Sequence, residues 1–258
     1  CPVDQNLHID LNALMKLCDE HNDIEAIIIV HMLGMGGPVL DLLEISQSKN
    51  IPLIEDNCES IGATCEGKLL GSIAPCGVLS MDHGKMITSG EGGIVLSQDE
   101  KIFSYVRSFS DHGHAYDSSL PRGLDPRVMP GFNYRLTEIQ AAIAKVQLAK
   151  LPEMLKANYE RYKILSNIIA NKLRERKELN GHKGSYDTYI FFVEERQKNK
   201  ILDVIYKEGF STKNIPDAME WHCAYFWNHA LPESEIHASK STFEFLNKAI
   251  AIPIFAKL

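Results

Sequence analysis

At 258 residues, 45% hydrophobic and 24% charged, the chain is long enough for one large or two modest globular domains with buried cores. A formal charge of -7 without any long Lys/Arg block argues against nucleic acid or an anionic membrane surface as a partner, and no apolar run approaches the roughly 20 residues that span a bilayer. The cysteines at positions 1, 18, 58, 65, 76 and 223 show no CxxC pairing, so they read as reduced thiols of a cytoplasmic protein rather than a disulfide scaffold.

In chain order, the sequence opens on Cys1 without an initiator methionine and soon enters an apolar run, as though joined partway. "IEAIIIVHM" (24–32), "PVLDLLEISQSKN" (38–50) and "IPLIEDN" (51–57) alternate apolar, amphipathic and apolar, which predicts a βαβ unit of a parallel sheet. "CGVLSMD" (76–82) and "GGIVLS" (92–97) add two strands, and "DEKIFSYVRSF" (99–109) a helix. From Thr137, which with Gln140 makes a capping box, Leu136, Ile139, Ile143 and Val146 lie on one helical stripe. Past Pro152 the pattern continues as a long charged amphipathic helix, of the kind that bridges two domains. "DTYIFFVE" (187–194), a helix near 196–208 and "FSTKNI" then predict a smaller α/β lobe. The fold class is α/β, with residues 1–150 as the large domain and 151–258 as linking helix and small C-terminal domain.

Ligands of a parallel sheet gather at the carboxyl ends of its strands, which singles out His31, Asp56 and Ser80. Each also has a plain structural explanation, in a turn cap or a packing histidine. Lys85 stands out by its surroundings: "GEGG" (90–93) lets the backbone turn tightly, and Ser80 offers a hydroxyl to an anion. An amine beside a phosphate site is the arrangement that takes up a cofactor aldehyde, provided the amine can lose its proton. If that aldehyde is pyridoxal phosphate, a carboxylate must keep the ring nitrogen protonated; Asp56 is the candidate, and Glu59 can reach the ring's 3-oxygen or the substrate. The His112/His114 and His222/Cys223 pairs lack partners at metal-ligand spacing, so no metal is expected.

"IEDNCESIGATCEGKLLGS", "LSMDHGKMITSGEGGIVLS" and "GFNYRLTEIQAAIAKVQL", in this order, resemble the DegT/DnrJ/EryC1/StrS sugar aminotransferases. The resemblance implies an aspartate-aminotransferase-like, fold type I enzyme that uses pyridoxal 5'-phosphate to move an amino group from glutamate to a keto sugar, usually a nucleotide-linked one. It implies Lys85 as Schiff-base lysine and proton shuttle, Asp56 on the pyridine nitrogen, Ser80 on the phosphate, and Asn133 reaching the phosphate from a partner subunit of a homodimer. "DHGK" and "SDHGHAYDSSLPRGLDPRVMPGFNYR" are similar to a branch that aminates 8-carbon keto sugar acids of lipopolysaccharide; Arg122 or Arg135 would then meet the substrate carboxylate, and His83 is a candidate substrate contact.

Departures from the family pattern leave alternatives open. Many members have Gln where this chain has Glu59. A dehydratase branch has His at the lysine position, so Lys85 favours amino transfer over dehydration. Members also carry a segment before the point matching Cys1 that helps enclose the cofactor. The large domain is therefore expected to be incomplete at its N-terminus, as a fragment of an enzyme or as a catalytically silent, dimerising relative.

Overall fold

The computed structural model describes residues 1–254, and its strands in chain order are β1 (Ile27–Val30), β2 (Leu53–Asp56), β3 (Thr64–Cys65), β4 (Lys68–Leu69), β5 (Cys76–Ser80), β6 (Gly93–Ser97), β7 (Arg174–Glu175), β8 (His182–Lys183), β9 (Thr188–Phe192) and β10 (Ala249–Pro253). Its helices are α1 (Leu11–Glu20), α2 (Val39–Lys49), α3 (Glu100–Phe109), α4 (Glu138–Ile169), α5 (Glu195–Lys207), α6 (Met219–His222), α7 (Glu233–Ala238) and α8 (Lys240–Asn247).

The main sheet has the order β1-β2-β5-β6, the first three strands parallel and β6 antiparallel to β5. β1 is its edge. Along β1 the residues alternate: Ile27 and Ile29 point into a core with Leu53 of β2, Leu14 and Cys18 of α1, and Val39 and Leu42 of α2, whereas Ile28 and Val30 are 58% and 51% exposed. α1 starts where Asp10 caps it, its carboxylate accepting from the amides of Asn12 and Ala13. α2 ends where Asn50 takes a left-handed conformation and the chain turns into β2.

The second sheet, β10-β9-β7, is antiparallel, with every residue of β9 buried. One of its faces packs Ile190 and Phe192 with Leu33, Ile215 and Ala251; the other packs Tyr189 and Phe191 with Leu202 of α5 and Ile250. A third small sheet, β4-β3-β8, ties the two regions of the chain together, since β8 pairs with β3. Buried Arg176 strengthens the tie by donating to the carbonyls of Asn6 and Met32.

Three expectations change in detail. α4 runs unbroken for 32 residues through Pro152, and so through the boundary expected at residue 150. Its capping box forms as read, but Leu136, Ile139, Ile143 and Val146 are exposed rather than turned into this chain's core. The segment containing "FSTKNI" is a loop, not a strand, and the last residues of the terminal "AIAIPIFAKL" run, 255–258, lie outside the described ones.

Candidate active site

The carboxyl edge of the parallel strands gathers the candidate residues. β2 ends on Asp56 and β5 on Ser80, in neighbouring strands where Asp56 stands level with Val78. Asp56 Oδ1 accepts from the Cys58 amide at 3.1 Å, which starts the turn carrying Glu59. Burial and the hydrogen bond and charge of Asp56 push the Cys58 thiol up to about 12, so it stays protonated beside the carboxylate.

Lys85 lies on the loop between β5 and β6. That loop closes on itself: the Met81 amide donates to Gly92 O, the Ser89 amide to Met81 O and the Lys85 amide to Asp82 O. Gly90 and Gly92 have φ of +86° and +145°, conformations that explain why glycines stand at these two positions of "GEGG". Ser80 Oγ accepts from the Asp82 amide at 3.2 Å, an arrangement that leaves its O–H to donate elsewhere.

Glu59 is the hub of the site. Its carboxylate is 3.5 Å from Lys85 Nζ, accepts from the Leu33 amide at 3.2 Å, and accepts from Asn214 Nδ2 at 3.2 and 3.4 Å. Burial alone would raise its pKa, but Lys213, Lys85, Asn214 and the Leu33 amide together hold it below the usual carboxylate range. Lys213 is itself 2.6 Å from Asp187 Oδ2. Lys85, Glu59, Cys58, Ile61, Met86, Ser185 and Asp187 line one small cavity, and the Ser185 hydroxyl is buried there without a hydrogen-bond partner.

His31 is corrected. It is fully buried, its Nδ1 accepts from the Gly37 amide at 3.1 Å, and Nε2 therefore carries the proton and donates to Glu55 at 3.1 Å. Both ring nitrogens are committed, so it braces the site rather than meeting substrate. Glu55 is fully buried and also accepts from the amides of Gly71, Ile73 and Ala74 at 2.7, 2.7 and 2.6 Å. Burial pushes its pKa up, but the His31 hydrogen bond and the amides of Ala74 and Gly71 outweigh it, and the carboxyl stays below its ordinary range.

Arg122 is redirected as well: it grips Asp111 through both terminal nitrogens, and so is a structural partner before it is a substrate cation. Asp111 is 1% exposed and also accepts from Tyr116 Oη; the Arg122 pair, above all, holds its carboxyl well below the usual range. Arg135 bridges Asp111 and the Asn133 side chain, and not Glu138. Among the described residues no hydrogen bond or ion pair joins Asn133 or Arg122 to Lys85, Asp56, Glu59 or Ser80 of the same chain. His83 points out, its side chain 84% exposed and 3.0 Å from Asp82. Asp82, His83 and Glu91 bring their ligand atoms within 4.8 Å of one another.

Sequence reading missed Glu55, Asp187, Lys213 and Asn214. A charged residue turned inward by the alternation of "LIED" was the one signal for Glu55. The other three come from 128 or more residues further along the chain than Glu59, and no local pattern points to their meeting it.

The sequence profile described as the DegT/DnrJ/EryC1/StrS aminotransferase family matches residues 2–258. The GDP-perosamine synthase of Caulobacter vibrioides is 36% identical over 138 residues, which cover 52% of this chain and 34% of that protein. The aminotransferase PseC of Helicobacter pylori, involved in pseudoaminic acid biosynthesis, superposes with a TM-score of 0.82 at 22% identity over 100% of this chain and 68% of its own. The E. coli GDP-4-keto-6-deoxy-D-mannose-3-dehydratase, solved with bound hydrated PLP, gives a TM-score of 0.78 at 22% identity over 98% of this chain and 69% of its own. These likenesses establish the fold as the fold type I aminotransferase-like α/β class. The chain spans between 34% and 58% of the length of the first curated relatives it matches.

Proposed function

The chain belongs to the DegT/DnrJ/EryC1/StrS aminotransferase family, and from that premise we propose that it moves an amino group from glutamate to a keto sugar with pyridoxal 5'-phosphate. The observation that carries this reading is Lys85, an amine 3.5 Å from the partly buried carboxylate of Glu59 at the carboxyl edge of parallel strands that end on Asp56 and Ser80. The donor set fits the cofactor: an amine, a carboxylate, a hydroxyl free to donate and a backbone loop opened by glycines. When bound, the cofactor supplies an aldehyde that carries the amino group and a ring that withdraws electrons from the reacting carbon.

Each protein group then has a task. Asp56 holds a proton on the pyridine nitrogen. Ser80 Oγ–H donates to the phosphate, joined by Asn133 of a second copy. Lys85 Nζ would be the amine that holds the cofactor aldehyde and the group that carries a proton to and from the substrate carbon. Glu59 orients Lys85 and presents its carboxylate to a cofactor or substrate oxygen. His83, exposed at the loop, is a candidate for substrate contact.

An octulosonate-type keto sugar acid of lipopolysaccharide is the substrate class we favour. Two arginines, Arg122 and Arg135, meet the single carboxylate of Asp111 and leave a net positive charge for a substrate carboxylate. Dehydration, the reaction of the E. coli relative, is the second reading, and the amine at position 85 weighs against it. Cytoplasmic, homodimeric action completes the proposal; no described helix is long and apolar enough to cross a membrane. In the test, the full-length protein is mixed with pyridoxal 5'-phosphate, reduced with borohydride and peptide-mapped. A cofactor mass on Lys85, lost in Lys85→Ala together with glutamate-dependent amination, is the expected outcome; amination surviving in Lys85→Ala refutes the assignment.

A further inference from the structure

Asn133 is held twice by the segment it lies against. Its backbone faces Asp111 in an antiparallel bridge, closed on either side by the His112 amide donating to Phe132 O and the Tyr134 amide donating to Ser110 O, both at 2.9 Å. Its side chain is held through Arg135: Nε donates to Asn133 Oδ1 at 3.1 Å, while Nη1 of the same guanidinium lies 3.4 Å from Asp111 Oδ1. A guanidinium carries donors only, so the atom of the Asn133 amide that meets it is the oxygen, and the amide nitrogen is left to face away. Among the described residues nothing else bonds the Asn133 side chain. Asp111 is a firm base for this arrangement. It is 1% exposed, accepts from Arg122 Nη1 at 2.8 Å and from Tyr116 Oη at 2.7 Å, and lies 3.2 Å from His112 Nδ1. The Arg135 side chain is 47% exposed, so this carboxylate rather than close packing fixes where its guanidinium stands.

We infer that Arg135 is a positioning residue for Asn133: anchored on Asp111, it turns the Asn133 amide so that Nδ2–H, and not the carbonyl oxygen, is presented to an anion. That anion is the cofactor phosphate held by a second copy, so the inference rests on the role proposed above for Asn133. Orientation matters because the two ends of a primary amide act on an anion with opposite sign. The nitrogen donates to a phosphate oxygen, whereas the carbonyl oxygen, an acceptor itself, is repelled by it. The terminal torsion of an asparagine is broad and roughly two-fold, so an untethered amide presents the wrong end for much of the time. Arg135 removes that choice before the anion arrives, and its charge on Oδ1 polarises the amide toward donation.

The test compares two ligands that differ in the anion alone. Affinities of the full-length protein for pyridoxal 5'-phosphate and for pyridoxal, which lacks the phosphate, are measured by equilibrium dialysis, and the ratio of the two is followed through variants. Asn133→Ala is expected to lower the ratio by about tenfold, through loss of one hydrogen bond to a charged acceptor. Arg135→Met is expected to lower it by about threefold and to leave the affinity for pyridoxal unchanged. Because Arg135 acts through Asn133, adding Arg135→Met to Asn133→Ala should lower the ratio no further. Arg135→Lys keeps the charge but not the planar fork that spans Asp111 and Asn133, and should lower the ratio as well. A merely structural role weakens both ligands alike, and a direct bond from Arg135 to the phosphate makes the losses add in the double variant. Either result, or a wild-type ratio in an Arg135 variant, overturns the inference while leaving the role of Asn133 standing. A wild-type ratio in Asn133→Ala refutes that role, and the inference falls with it. Circular dichroism checks folding, and Arg135→Lys decides the question if Arg135→Met fails to fold.

Discussion

Individual buried groups carry much of what is specific to this chain. His8 is 3% exposed; its Nε2 donates to Lys177 O at 3.3 Å, and its Nδ1 has no partner. Burial, followed by the charge of Arg176, lowers its pKa from 6.5 to about 4. The folded chain therefore binds fewer protons than the unfolded one between those values, and stability falls as the pH drops from 6.5 toward 4. The loss approaches roughly 3 kcal/mol at the acid end of that window. Urea midpoints of wild type and His8→Leu between pH 7 and 5 should diverge in slope, the variant losing less. Parallel slopes would show that His8 is not buried as described.

At the scale of elements, the sequence was most legible where period and punctuation agreed. The βαβ unit 27–56, the strands ending on Ser80 and Ser97, and the Thr137–Gln140 capping box all follow from short-range pattern. The pair β3-β8 is two residues long and joins positions 64 and 183, so no window of sequence contains its signal. At the site, Asp56 and Ser80 were visible as polar residues following strands and Lys85 by the glycines and serine near it, while Asn214 reaches Glu59 only through tertiary packing, and His31 satisfied the same rule of position as Asp56 while serving Glu55 instead. Pro152 sits inside α4, whose pattern continues past it. It lacks an N–H and leaves the Leu148 carbonyl without its helical donor, yet Leu148 is 51% exposed and water can take that place. Pro152→Ala should restore the bond and stabilise α4 by about 1 kcal/mol, which calorimetry reads as a melting temperature higher by about 2–4 °C. A lower melting temperature would mean that the rest of the fold requires the interruption.

For the whole molecule, the apolar stripe of α4 is the main unfinished surface. Ile139, Ile143 and Val146 are 75%, 44% and 59% exposed, and Phe132 and Tyr134 beside the α4 start are 54% and 66% exposed. Exposed apolar residues grouped along one helix are what the proposed homodimer would bury. Their nearness to Asn133 is what a shared active site between two copies requires. Ile139→Glu combined with Ile143→Glu should convert a dimer to a monomer in sedimentation velocity and abolish glutamate-dependent amination, with the far-ultraviolet spectrum unchanged. A variant that still sediments as a dimer moves the interface elsewhere.

The edge strand β1 has a practical corollary. Among the described residues its outer backbone groups pair with nothing in this sheet, and Ile28 and Val30 are exposed on one face, which makes the edge a strand-shaped template. Pairing of β1 with the opposite edge, β6, of another copy is heterologous and has no two-fold symmetry to stop it at two copies. Protein concentration thus becomes a variable in its own right: light scattering that climbs without a plateau reports the edge, whereas a mass that settles at two chains reports the functional pair.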